Sequence, residues 1–518
     1  MIQLPIDPHL AEICDHVASH PITIVEAPPG SGKTTRVAPA LMKQPFAFGR
    51  RIYLLQPRRL AARSVAERIA REQGGKLGAE IGYHVRFDSK VSRDTKLIVA
   101  TEGILLRRLQ DDPAIDDTSI VLLDEFHERS LDADLLLGML RRVQAAVRDD
   151  LRLVIMSATI ESSSIQAKLG NVPVITIQSQ SYPVAVRYRP PKPQQRVVDH
   201  VVELMHEVVL KHEGDVLAFL PGAGEIHRCK EAMERSNSFH ECDIVPLFGA
   251  MQLDDQSKAI ETGPQRKIVL STNIAETSLT IEGIRVVVDS GLARVMRYAP
   301  EIGLDRLSLE SICQASATQR SGRAGRVAPG TCYRLWSEAS DRSRPAFLEP
   351  EIRRVDIVTA ILQLYAWGEG ESNDFPWLEP PRIDALERAQ RLLGMLGAIR
   401  HGKITDIGKT MANMPTHPRL ARMILASADA GCMDRACLLA ALLSERDPFE
   451  GGSASPMASR PSSVPTRTQR RWDSDCVEKL TALESFLSGN HPRSAFGELN
   501  RTAMHSITKS ANQLYEIN

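Results

Sequence analysis

The sequence predicts an α/β protein with two tandem doubly wound parallel sheets followed by a mostly α-helical C-terminal region. Three observations lead there. Strand-like apolar runs alternate with helix-like stretches from the N-terminus onward. The same alternation begins again after Tyr182 and Pro183, and from about Ala346 the strand pattern fades into helical periodicity.

In chain order, the apolar stretch Ile22 to Glu26 runs into a Pro/Gly turn and then a basic, Ala-rich segment, the strand, loop and helix order of a parallel unit. Strands are expected at Arg51 to Gln56, Lys96 to Thr101, Ile120 to Asp124 and Leu151 to Ser157. Helices are expected at Ala61 to Gln73 and Asp132 to Arg148, which makes a first domain of residues 1–172. A second, residues 173–345, carries strands at Val216 to Leu220, Asp243 to Pro246, Lys267 to Ser271, Arg285 to Asp289 and Gly330 to Leu335. Helical periodicity then marks Ile383 to Leu396 and Pro418 to Leu443, divided here into residues 346–415 and 416–518. Gly451 to Arg471 is rich in Ser, Pro, Gly and Arg, a composition that packs no core and reads as a flexible insertion.

At 518 residues the chain is long enough for roughly three or four domains. An apolar fraction of 43% and a charged fraction of 25% are those of a soluble protein, and no apolar run reaches membrane-span length. The N-terminal segment holds Asp7, Glu12 and Asp15 before any Lys or Arg, unlike a secretory signal. The eight cysteines are scattered without metal-ligand spacing, which suits reduced thiols and a cytoplasmic location. Lys plus Arg equals Asp plus Glu at 64 each, so a site for a polyanion has to be a local groove.

The chemistry concentrates in two motifs. Pro28, Pro29, Gly30, Ser31, Gly32, Lys33, Thr34 and Thr35 follow a strand and open a helix, so backbone N–H groups can cradle the phosphates of a nucleotide. Lys33 would pair with the β and γ phosphates, and the Thr34 hydroxyl would serve Mg²⁺. Ala27 stands where such loops usually begin with Gly, and a plain Gly-rich turn is the simpler alternative. The strand Ile120 to Leu123 ends in Asp124, Glu125, Phe126 and His127, placing two carboxylates at a strand's C-terminal edge. Asp124 would serve Mg²⁺ through water and Glu125 would polarise the attacking water, with Thr34, Asp124 and Glu125 together forming the metal set. Taken alone, the tetrad is equally a charged turn after a buried strand.

The tetrad resembles the DEAH-box signature of superfamily 2 helicases with Phe126 in place of Ala, and its continuation resembles the bacterial HrpB-type branch. Further motifs stand in that family's order: Gln56 to Arg59, Gly82 to Phe87, Thr101 to Gly103, Ser157 to Thr159, Thr272 to Thr280 and Gln319 to Arg326. The resemblance implies two RecA-like domains, then winged-helix and helical ratchet domains, with ATP and Mg²⁺ as cofactors. It implies an ATP-dependent RNA helicase acting on single-stranded RNA, DNA being left open, most simply as a monomer and with no membrane association. It assigns the positioning of the attacking water to Gln319, nucleic-acid contacts to Arg58, Arg59, Thr101, Thr272 and Asn273, and a link between hydrolysis and lobe movement to Ser157 and Thr159. Arg294 to Ile312 occupies the place of the family's strand-separating hairpin, with Arg294, Arg297 and Arg306 as further contacts.

Arg323 and Arg326 are legible on their own: one helical turn apart, they would share a face and point at phosphate across a cleft as arginine fingers. An Arg-rich helix without that context reads better as a solvated face. The family's adenine sandwich is expected at Arg68, but its aromatic partner falls on Ile260 and its ribose contact on Glu282, which suggests loose base selectivity. The sequence stops at Asn518, short of the OB-fold that this branch carries, so a nucleotide-gated RNA clamp without strand separation is the alternative.

Overall fold

The computed structural model describes residues 3–86, 88–158, 162–178, 182–249, 251, 253–261, 263–276, 281–326, 328–370, 374–445, 447–451, 474–490 and 496–517. Thr159, Phe87, residues 277–280 and most of the expected insertion lie outside them.

Lobe 1 is built on eight strands: β1 (Ile22–Glu26), β2 (Arg51–Gln56), β3 (Ile81–Val85), β4 (Asp88–Lys90), β5 (Leu97–Thr101), β6 (Thr118–Leu123), β7 (Arg152–Ser157) and β8 (Val174–Thr176). Their order is β4-β3-β5-β2-β6-β7-β1-β8, and only β4 runs antiparallel to its neighbour. Strands β1, β2, β6 and β7 are nearly continuous apolar runs because helices cover both faces of a parallel sheet. Those helices are α1 (Leu10–Ser19), α2 (Lys33–Met42), α3 (Arg59–Glu72), α4 (Glu102–Asp111), α5 (Leu131–Ala146) and α6 (Ser162–Lys168).

Lobe 2 repeats the plan with β9 (Val184–Tyr188), β10 (Asp215–Phe219), β11 (Cys242–Leu247), β12 (Arg266–Ser271), β13 (Ile284–Asp289) and β16 (Gly330–Arg334). The all-parallel order is β11-β12-β10-β13-β16-β9. Between β13 and β16 the chain forms an antiparallel hairpin, β14 (Leu292–Ala299) with β15 (Leu304–Ser311). Helices α7 (Val197–Lys211), α8 (Ala223–Glu234), α9 (Leu253–Ile260), α10 (Gln314–Gly322) and α11 (Glu338–Arg342) complete the lobe, and the short α12 (Glu351–Arg354) follows.

Two expected boundaries move. Strand β8 pairs with β1 and Ile177 is buried in the lobe 1 core, so the first sheet runs past residue 172. Residues 346–357 pack with the lobes rather than opening the helical region, since Ile352 is buried and the Glu351 N–H donates to the Arg129 carbonyl at 3.1 Å. The second compact unit comprises residues 358–372 and 386–518, while 373–385 belong to the first. That unit is helical: α13 (Val358–Trp367), most of α14 (Ile383–Met395), α15 (Asp406–Asn413), α16 (Pro418–Asp429), α17 (Met433–Ser444), α18 (Asp475–Leu487) and α19 (Arg501–Glu516), with two small antiparallel pairs. The expected helix Pro418 to Leu443 is divided because Gly431 adopts φ 66°, which ends α16. Leu438, Leu442, Leu483, Met504 and Ile507 form its core. Among the described residues, no helix is long and apolar enough to cross a membrane.

Candidate active site

The two motifs meet at the C-terminal edge of lobe 1, because β1 and β6 both end there and flank β7. The loop after β1 turns through Gly30 (φ 87°) and Gly32 (φ 94°), conformations L side chains rarely adopt. At Gly32 a Cβ would also lie 2.7 Å from Leu4 Cδ1, so a side chain there would be strained in backbone and crowded by its neighbour. The loop is fixed by Ser31 N–H donating to the Pro28 carbonyl at 3.2 Å and Ile6 N–H to the Ser31 carbonyl at 3.1 Å. Ala27 donates to the Ser157 carbonyl at 3.0 Å, tying the loop to the end of β7. The Ser31 hydroxyl is buried without a hydrogen-bond partner, and α2 presents its N-terminus to the loop.

The carboxylates occupy different surroundings. Asp124 accepts from Thr34 Oγ1 at 2.6 Å, Gln56 Nε2 at 2.7 Å and the Glu125 N–H at 2.9 Å. Burial, then the charge of Glu125, raises its pKa. Glu125 sits in the left-handed region at φ 51°, which turns its side chain back toward Lys33 Nζ at 3.4 Å and His127 Nδ1 at 3.5 Å. Burial pushes Glu125 up, but Lys33 and His127 outweigh it and hold the carboxyl below its ordinary value. The Ala158 N–H lies 3.4 Å from the same His127 Nδ1, which puts the tetrad beside the segment after β7.

Lobe 2 completes the cluster. Arg323 is buried and Arg326 half-buried, and the charge of Glu125 acts on both. Burial pushes Arg326 down to about 10, with Glu125 opposing, so it stays protonated at neutral pH. Burial and then the like charge of Arg326 lower Arg323. The two do not share an α-helical face as expected. Helix α10 ends at Gly322, Arg323 opens a 3-10 turn to Gly325, and Arg326 follows it. Gly325 lies close against the segment entering β9: a Cβ there would sit 2.6 Å from the Tyr182 carbonyl oxygen, and the Tyr182 N–H donates to the Gly325 carbonyl at 3.0 Å. Arg323 Nε donates to the Glu276 carbonyl at 2.9 Å, and its Nη2 donates to the same oxygen. Arg320, fully buried over the Phe219 ring, bridges Glu276 at 2.8 Å and Asp289 at 2.9 Å and so fixes the whole turn.

A cleft of about 320 Å³ between the lobes is lined by Gln319, Arg58, His127, Asn273 and Glu276 among others. Arg58 reaches across it, donating to the Asn273 carbonyl at 3.5 Å and to Glu128 at 3.3 Å. Arg59 is exposed at the start of α3, Thr101 is half-buried before α4, and the Thr272 N–H donates to the Leu247 carbonyl at 3.1 Å. Of the hairpin arginines, Arg297 pairs with Glu310 and Glu349, and Arg294 lies 3.6 Å from Glu225. Arg68 is 49% exposed on α3, tied to Glu72 at 2.9 Å. Glu282 is exposed in the turn before β13; Ile260 closes α9, and its side chain lies outside the described residues. Gln56, His127, Glu276 and Arg320 drew no role from sequence reasoning, although each lies inside a motif quoted above.

Near Thr101, Glu102 is buried beneath Ser130, whose hydroxyl donates to it at 2.7 Å. Burial pushes Glu102 up to about 8, and Asp132, Glu128 and Glu351 add to the shift. The folded state therefore keeps a proton that the unfolded chain releases near the ordinary value of 4.5. Stability should fall as pH rises between those values, by at most roughly 1.4 kcal/mol per pH unit for one proton. We predict that Glu102→Gln, which still accepts from Ser130, flattens this slope in denaturant melts at pH 5.5 and 7.5; parallel slopes would count against it.

Two doubly wound lobes with a phosphate loop and paired acids in one, and arginines from the other within the same charged cluster, define a two-lobed P-loop NTPase of RecA-like architecture. Family profiles name it further. The DEAD/DEAH box helicase profile matches residues 8–167 and the helicase conserved C-terminal domain matches 197–328. The winged-helix and ratchet-like parts of the helicase associated domain (HA2) match 389–416 and 417–491. The chain is 42% identical over 447 residues to the ATP-dependent RNA helicase HrpB of Escherichia coli (strain K12), covering 86% of this chain and 55% of that protein. It is 38% identical over 457 residues to the ATP-dependent RNA helicase HrpA homolog of Haemophilus influenzae, covering 86% of this chain and 35% of that one. The crystal structure of Escherichia coli DEAH/RHA helicase HrpB superposes with a TM-score of 0.82 at 38% identity, over 98% of this chain and 63% of that chain. The chain belongs to the DEAH-box helicase family, in its HrpB-type branch, and spans about half the length of the first of these curated relatives.

Proposed function

We propose that the chain is an RNA-stimulated ATPase whose cycle drives movement along single-stranded RNA and separation of duplexes. The observation that carries this is the single cleft that Arg58 and His127 of lobe 1 share with Asn273, Glu276 and Gln319 of lobe 2, spanned by the Arg58 hydrogen bond to the Asn273 carbonyl. The relatives named above as ATP-dependent RNA helicases support the substrate class.

In this reading the backbone N–H groups of Gly30, Gly32, Lys33 and Thr34, at the α2 N-terminus, hold the phosphates. Thr34 and Asp124, with Glu125 adjoining, supply the oxygen donors that Mg²⁺ takes, and Mg²⁺ bound there would neutralise phosphate charge. An incoming γ-phosphate competes with Glu125 for Lys33. Once Lys33 turns to phosphate, the main charge depressing Glu125 is withdrawn and the carboxylate becomes a better proton acceptor for water. Gln319 orients that water from the cleft, and Arg323 with Arg326 neutralise the charge that builds on the transferring phosphoryl group. Arg68 and Glu282 are assigned to base and ribose. Arg58, Arg59, Thr101, Thr272 and Asn273 take phosphates of the strand, as a stepping motor needs contacts independent of base edges.

The test is ATPase rate against titrated single-stranded RNA, with single-stranded DNA as a parallel arm, followed by strand displacement on an RNA duplex. Stimulation together with displacement is the expected result. A rate that RNA leaves unchanged rejects the proposal, and stimulation without displacement reduces it to a nucleotide-gated clamp.

A further inference from the structure

We propose that Glu351 and Arg354, on α12, form a strut that transmits the nucleotide state of lobe 1 to the hairpin of lobe 2. At one end, Glu351 grips the turn that follows the acidic tetrad twice: its N–H donates to the Arg129 carbonyl at 3.1 Å, and its Oε2 accepts from the Leu131 N–H at 3.0 Å. That turn is a stiff lever. Arg129 is held at φ 48° with its guanidinium buried against Asp134 through hydrogen bonds of 3.0 and 3.1 Å, and Glu125 at the turn's other end is left-handed as well. At the other end of the strut, Arg354 Nη2 donates to Glu351 Oε1 at 3.1 Å and Nη1 donates to the Met296 carbonyl in β14 at 2.7 Å. Arg354 is buried, so these are rigid contacts rather than surface ion pairs.

Backbone and charge-assisted hydrogen bonds thus lead from the turn at Arg129 through Glu351 to Arg354 and the hairpin, and the Glu128 N–H, donating to the Glu125 carbonyl at 2.9 Å, ties that turn to the tetrad. Both residues line the interlobe cleft but neither touches the phosphate loop or the acidic tetrad, so both are positioning residues. Any shift of the tetrad turn on phosphate binding or loss moves α12, and α12 moves β14 with it.

The strut rests on the reading that ATP turnover is coupled to RNA. Its test compares the RNA Kd in ADP with that in a non-hydrolysable ATP analogue, for the parent, Glu351→Ala and Glu351→Gln, alongside the RNA-free ATPase rate. The parent Kd ratio should differ from one by about tenfold, and Glu351→Ala should bring it within about twofold of one at an RNA-free rate close to the parent's. Glu351→Gln, which keeps one acceptor, should fall between. A ratio that persists in Glu351→Ala overturns the strut while leaving the function standing. An RNA-free rate that drops in step with the ratio also overturns it, because the residue then serves the site or the fold. A parent ratio of one rejects the coupling reading itself, and the strut with it.

Discussion

Replacing Glu125 with Gln should lower ATP turnover by roughly 10²- to 10⁴-fold while leaving ATP binding nearly unchanged. The amide has the size and the hydrogen-bonding oxygen of the acid but cannot take a proton from water. Its loss of charge also removes the 3.4 Å partner of Lys33, which frees that ammonium for phosphate and favours binding if it changes it at all. Left-handed backbone at position 125 is common to both versions, so the tetrad turn should keep its shape. Single-turnover hydrolysis with equilibrium nucleotide binding separates the two effects. Turnover close to that of the parent would remove Glu125 from the role of base.

Arg326→Ala should cost roughly 10³-fold or more in turnover, with ATP affinity little altered, because a finger from the second lobe acts mainly on the transition state. Arg323 is the less clean probe. Its Nε and Nη2 both serve the Glu276 carbonyl, so Arg323→Ala leaves a buried acceptor unpaired and should add about 1–3 kcal/mol of destabilisation. The melting temperature should therefore fall in Arg323→Ala. Arg326→Lys should restore little, since an ammonium lacks the planar fork that spans two phosphoryl oxygens. A loss below about tenfold in Arg326→Ala would end its assignment as a finger.

The RecA-like plan was legible because each central strand is apolar on both faces and is followed by an amphipathic helix, a pattern that leaves few other folds. The strands that escaped notice lie toward the sheet margins, where that rule relaxes. Strand β9 is half exposed, β8 has three residues, and β3 interrupts its apolar run with Gly82 and His84. The phosphate loop and tetrad were legible for a different reason: short spacing along the chain forces them into local shapes. What no local pattern reveals is tertiary pairing, such as Arg58 with Asn273 or Glu351 with the turn at Arg129. The same holds for the close approach of Gly325 to the Tyr182 carbonyl.

Strand β1 is made first yet is flanked in the finished sheet by β7 and β8, the last two strands of its lobe. During synthesis the phosphate loop therefore emerges long before the strands that brace it, and the Ala27 to Ser157 hydrogen bond must wait for β7. Such long-range closure is slow relative to helix formation. A ribosome carrying only the first five or six strands would hold a chain with the nucleotide-binding residues already translated and no surface able to use them, a stage at which uncovered apolar strands are most exposed to chaperones.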